Sequence, residues 1–129
     1  MAIGGILLSV TGDREPIDGK SVANTKIFDE SDLPSGNHIS PIFVTVETYT
    51  ADSISMTAIF SIGTNSPNYD NILAAHAVKP VAGLVEMFPL QDAQMIDAET
   101  DVYARVQRAA SGTDLTFVVG MAHLQYTVQ

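Results

Sequence analysis

The chain of 129 residues contains no cysteine and no tryptophan. Without thiols it can form no disulfide, and no thiolate is available as a nucleophile or metal ligand. That fits assembly in a bacterial cytosol. Without tryptophan, the large side chains left for a core are mainly phenylalanines, and Phe43, Phe60, Phe88 and Phe117 are the expected core aromatics. Cations are also scarce: six Lys and Arg stand against fifteen Asp and Glu, a formal net charge of −9. Phosphate backbones are held by clustered Lys and Arg. Here Arg14, Lys20, Lys26, Lys79, Arg105 and Arg108 are scattered along the sequence, so no nucleic-acid partner is expected. The surplus of acid favours solubility and mutual repulsion before assembly. Long apolar runs are missing too. Met1 to Val10 is apolar but lacks a basic n-region, and a bilayer span needs about 20 such residues. It reads as a strand, with no membrane partner expected.

Charged residues make up 16% of the chain and hydrophobic ones 46%, whereas soluble domains average roughly a quarter charged. Some apolar surface is therefore expected to be shared with copies of the chain or with a partner.

What is present is alternation. Ile54, Met56, Ala58, Phe60 and Ile62 alternate with Ser53, Ser55, Thr57 and Ser61, with Ile59 as the exception. A period of two places these sets on opposite faces of a strand. Ile42, Val44 and Val46 against Thr45 and Glu47 repeat the pattern, and so do Val102 to Arg108 and Leu115 to Val128. Antiparallel sheets with one dry and one wet face are written this way. The expected strands are Ile3 to Val10, Val22 to Phe28, Ile39 to Thr50, Ser53 to Ile62, Val81 to Leu90, Thr100 to Arg108 and Leu115 to Val128. Gly4-Gly5 allows a bulge in the first of them. Two hairpins are expected, one turning at Ala51-Asp52 and one at Ala109 to Thr113. The first lacks the Asn-Gly or Asp-Gly signal of the best short turns. Ile72 to Val78, with three alanines, is the one short helical candidate. Seven or eight strands with at most one short helix predict an all-β, antiparallel two-sheet sandwich in a single domain, residues 1–129. Within it, Thr11 to Pro41 is punctuated by Gly12, Pro16, Gly19, Pro34, Gly36 and Pro41 and reads as a loop-rich arm or extended connection, residues 11–41.

Reactive constellations are weak. His38, His76 and His123 have no metal-ligand spacing to one another, and no serine stands in a G-x-S-x-G elbow. Alternation alone accounts for Ser53, Ser55 and Ser61. Acids cluster at Asp13-Glu15-Asp18, Asp29-Glu30-Asp32 and Asp97-Glu99-Asp101. These are the groups from which a calcium site or a glycosidase pair would be drawn, but none has the EF-hand pattern. No catalytic residue, metal or cofactor is assigned, and no enzyme is expected. Gly63 to Asn71 is the candidate binding loop. It joins dense turn formers to Tyr69, and Asn65, Asn68, Tyr69 and Asp70 are its contact candidates. Tyr103 and Arg105 are interface candidates, because arginine and tyrosine are enriched at such boundaries. Glu86 or Asp101 are the expected partners of Arg105.

Two stretches carry a resemblance. One is Ser61-Ile62-Gly63-Thr64-Asn65-Ser66-Pro67-Asn68-Tyr69-Asp70-Asn71-Ile72. The other is Asp101-Val102-Tyr103-Ala104-Arg105-Val106, followed by Ala110-Ser111-Gly112-Thr113 and Leu115-Thr116-Phe117-Val118-Val119. Together, from about Ile54 to the end, they resemble the small jelly-roll proteins of tailed bacteriophage particles, such as capsid decoration proteins and tail-associated fibres. The resemblance implies a virion location after assembly in the host cytoplasm. It implies contacts with copies of itself, often as a trimer, and with the major capsid or another virion protein. It leaves two roles open, a capsid decoration or cement protein and a receptor- or carbohydrate-binding module of a tail fibre.

Overall fold

The computed structural model describes residues 3–11, 16–28, 37–90, 96–97 and 100–128, with side-chain surroundings for 16–28, 40–90 and 100–122. Its strands are β1 (Ile3–Thr11), β2 (Ile17–Asp18), β3 (Asn24–Phe28), β4 (Asn37–Asp52), β5 (Ile59–Gly63), β6 (Leu73–Ala77), β7 (Val85–Pro89), β8 (Ile96–Asp97), β9 (Val102–Arg108) and β10 (Asp114–Val128). Two antiparallel sheets stack on each other. The first runs β1-β10-β4-β7, with β2 on β10 and β8 on β4; the second runs β3-β9-β5-β6. There is no helix among the described residues. The all-β two-sheet sandwich expected from alternation is the fold observed.

Alternation is read out directly as burial. On β9, Val102, Ala104 and Val106 are buried while Tyr103, Arg105 and Gln107 are only partly covered. Across the layers, Val44 and Val46 of β4 and Leu115, Phe117, Val119 and Met121 of β10 face Phe60 and Ile62 of β5 in one core. Phe60 is its centre, fully buried, with ring centroids 5.6 Å from Phe117 and 6.1 Å from Phe88. Burying such a ring contributes roughly 1.5–3 kcal/mol, and each aromatic pair about 0.5–1.5 kcal/mol more. Phe28 joins this core, whereas Phe88 is half-buried at its margin. Phe43 is not a core residue: it stands opposite Ala122 on the outer face of the first sheet.

Several sequence expectations are corrected. Ile72 to Val78 is not helical, because Leu73–Ala77 pairs with β5 and Val78 N–H bonds the Ala58 carbonyl at 2.9 Å. A seven-residue helix is below the length that holds itself together, and pairing overrides the alanine propensity. The bulge in β1 lies between Ile6 and Leu8, not at Gly4-Gly5. Of Ser53 to Ile62, only the end is strand; Met56 makes an isolated bridge to Ser111.

Neither expected hairpin forms. β4 and β5 lie in different sheets, and so do β9 and β10. Both connections are arches from one layer to the other, and they run side by side. Ser55 N–H bonds the Ser111 carbonyl at 2.9 Å, Ser111 N–H bonds the Met56 carbonyl at 2.8 Å, and Thr113 N–H bonds the Asp52 carbonyl at 3.0 Å. Gly112 permits the approach: a Cβ there would sit 2.5 Å from the Ser53 carbonyl oxygen and 2.8 Å from the Ile54 Cα. The arches satisfy each other's backbone groups, as buried or crowded backbone must. The true hairpin is β5–β6, and its loop is the candidate binding segment.

Candidate functional site

The loop from Thr64 to Ile72 closes on itself through asparagine side chains. Asn65 Oδ1 accepts from the N–H groups of Asp70, at 2.9 Å, and Asn71, at 3.2 Å, while Asn65 Nδ2 donates to Asp70 Oδ1 at 2.9 Å. Asn71 Oδ1 accepts the Thr64 N–H at 2.7 Å, and its amide donates to Thr64 Oγ1 at 2.9 Å. Tyr69 N–H bonds the Asn65 carbonyl at 2.6 Å, and the Ser66–Pro67 peptide is cis. Asparagine and aspartate suit this work because their short amides mimic backbone groups. Gly63 lies beneath the loop, where a Cβ would fall 2.6 Å from both the Asp70 N and the Tyr69 carbonyl carbon.

This loop folds onto the outer face of the second sheet. Ser61 is buried there, donating to the Asn68 carbonyl at 3.3 Å and accepting from Gln107 Nε2 at 2.9 Å. Tyr69 packs on Tyr103 of β9 with ring centroids 4.8 Å apart. Arg105 Nη1 donates to the Pro67 carbonyl at 2.7 Å. The binding-loop and interface candidates from the sequence therefore converge on one surface. Tyr69 takes a positive φ of 47°, a costly conformation for a non-glycine residue, held here by the surrounding loop bonds. Asn68 and Asp70 are exposed beside it.

The expected partners of Arg105 are replaced. Glu86 lies on β7, in the other sheet, and Asp101 meets Lys26 Nζ at 3.1 Å. Lys26 also stands 6.0 Å from the centroid of the Tyr103 ring, within reach of a weak cation–π attraction. Lys26, Pro67, Ser61 and Gln107 belong to this surface but were not among the sequence candidates. The pairing of Lys26 opposite Tyr103 explains the first of these; the strand pattern alone does not say which strand lies beside which.

No histidine stands on this surface among the described residues. His76 lies instead at the rim of a groove of about 460 Å³ between edge strands β6 and β7, with Leu73, Phe88 and Leu90 also lining it. Its ring centroid is 4.8 Å from that of Phe88, and Nδ1 is 2.7 Å from the Ala74 carbonyl. His76 is the one titratable group in the described lining of that groove. Among the described residues, no three His, Asp or Glu side chains are grouped to hold a metal ion. Asp18 caps a turn, accepting from Lys20 N–H and Ser21 Oγ. Asp13, Glu15, Asp29, Glu30, Asp32 and Glu99 lie outside the described residues, and the side chains of His38, Asp97 and His123 lie outside those described.

With this geometry in hand, comparison with solved structures finds the same architecture in virus shells. The chain is similar in fold to one in the cyanophage Pam1 capsid asymmetric unit, with a TM-score of 0.58 and 14% identity, covering 98% of this chain and 85% of that one. It is likewise similar to a chain of the acidic stable capsid structure of Helicobacter pylori bacteriophage KHP30, with a TM-score of 0.59 and 13% identity, covering 98% and 94%. No protein-family model and no curated protein matches the chain.

Proposed function

We propose that this chain is a non-enzymatic structural protein of a phage virion, a capsid decoration or cement protein built as a jelly roll. The observation that carries this reading is the likeness in fold to two phage capsid structures over 98% of the chain. Strand order supports the jelly-roll part. Sheets ordered β1-β10-β4-β7 and β3-β9-β5-β6, joined by arches that repeatedly change layer, match an eight-stranded double Greek key. The mechanism is burial of apolar area between copies and on the shell, where a stable contact removes about 1,200–2,000 Å². A homo-oligomer, with a trimer as the favoured form, residues 11–41 as an extended connection that contributes β2 and β3 to the sandwich, and assembly in the host cytoplasm complete the proposal. The test is add-back: shells assembled without the chain are mixed with purified protein and pelleted. Saturable co-sedimentation, with slower shell disruption on heating, is the expected result; no binding would remove the cement role.

One observation favours a second reading, a receptor- or carbohydrate-binding module of a tail fibre. Tyr69, Asn68 and Asp70 are presented on a loop already fixed by its own bonds, and pre-organisation of this kind favours recognition. A glycan array with Tyr69→Ala as control separates the readings. Specific binding lost in the variant supports the fibre role, and no binding to any glycan counts against it.

A further inference from the structure

The charges of this chain are sorted between its two sheets. Strands of the first sheet carry six acids, Asp18, Glu47, Asp52, Glu86, Asp97 and Asp114, and no Lys or Arg. Strands of the second carry Lys26, Arg105 and Arg108 and no Asp or Glu. Half of the six cations of a molecule with a net charge of −9 thus belong to one layer. The flanking segments add Asp70, bonded within its loop, and Asp101, paired with Lys26. Register puts Asn24 and Lys26 of β3 beside Arg105 and Tyr103 of β9, all on the outer face.

The first sheet offers the complementary surface at its β4–β7 edge. Val85 stands opposite Glu47 and Met87 opposite Thr45. Val85 and Met87 are 57% and 60% exposed, and Val81 and Leu84 extend the apolar strip just before β7. β7 pairs with β4 alone, so its other edge is open among the described residues. Exposed apolar edges of this kind are unusual unless they are covered by something.

We infer that copies of this chain associate head to tail, the outer β3–β9 face of one copy docking on the β4–β7 edge of the next. The inference rests on the proposed homo-oligomer and names the two surfaces that make it. Like faces match poorly: two β3–β9 faces would set Lys26 and Arg105 against the same two cations, and two β4–β7 edges would set Glu47 against Glu47. An antiparallel β7–β7 pairing centred on Glu86 would bring two carboxylates together, which is destabilising directly across strands. The unlike pairing is the one in which charges match, and such matching sets specificity and orientation. A contact of standard size takes about 800 Å² from each partner. Two of them per copy occupy about a quarter of the 6570 Å² surface of the chain. Contacts of this heterologous type close into rings when the rotation allows.

The absence of cysteine makes the test clean. Asn24→Cys and Met87→Cys, both at exposed positions, are prepared separately and treated with a bis-maleimide, alone and mixed. The expected result is a covalent dimer in the mixture, little product from either variant alone, and a several-fold fall in cross-linking at high salt. Equal self-cross-linking of a single variant would overturn the head-to-tail arrangement, as would no product in the mixture. Sedimentation of the unmodified chain separates the two levels. An oligomer without the mixed product overturns only this pairing of faces, whereas a monomer at every concentration overturns the homo-oligomer as well.

Discussion

The two sheets share one core and present opposite exteriors. The first is built on long strands, β4 of 16 residues and β10 of 15, and its strands hold acids and no Lys or Arg. The second is built on strands of five to seven residues, and its outer face carries Lys26 beside Tyr103 and Arg105, the last two in contact with a loop locked by Asn65 and Asn71. The inner faces are interchangeable in kind, valine and phenylalanine against valine and isoleucine. Folding therefore depends on what the sheets have in common, and the proposed recognition on where they differ.

The comparison predicts how damage should distribute. Phe60→Ala removes the ring both layers share, and the expected loss is about 3–5 kcal/mol, read as a large fall in the midpoint of chemical denaturation. A small loss would mean that the layers do not depend on a common core. Gly63→Ala acts on the second sheet only. Its new methyl group meets backbone of the loop at 2.6 Å, so the expected cost is about 1–3 kcal/mol. Hydrogen exchange should speed up at Asp70 and Asn71 while β10 stays protected. Asn65→Ala leaves the Asp70 and Asn71 N–H groups without their acceptor, at a cost of about 1 kcal/mol because water can replace it at the surface. Lys26→Ala should cost under about 1 kcal/mol, since both members of its pair with Asp101 are partly exposed. That small effect should shrink further in salt. Retention of the order Phe60, Gly63, Asn65, Lys26 sharpens the contrast between core and exterior; inversion of it would break it.

Much of this was readable in the residues, for a physical reason. Alternation records which side of each strand is dry, so Val102, Ala104 and Val106 announced their burial. Neighbour relations left no such record. Ala51-Asp52 and Ala109 to Thr113 are short enough to close hairpins, yet both cross between layers, and what holds them is contact between the arches across more than fifty residues of sequence. The missing Asn-Gly or Asp-Gly was the local sign at the first of them. The hairpin loop between β5 and β6, by contrast, is crowded with Asn65, Asn68, Asp70 and Asn71, and the side chains of Asn65, Asp70 and Asn71 fold it locally. Its residues were accordingly legible as one loop, while the place of Lys26 was not, because its meeting with Tyr103 depends on pairing of β3 with β9. Ile72 to Val78 failed in the same way, with alanine propensity yielding to the edge of β5.

The central claim is that the two dissimilar exteriors fasten this sandwich into a phage shell. A reconstruction by electron microscopy of the assembled particle, with the chain labelled by a small insertion fused after Gln129, tests it most directly. The account predicts label density at regular positions on the shell, with the β3–β9 face of each copy against the β4–β7 edge of its neighbour. Label confined to the tail, or absent from the particle, would contradict it.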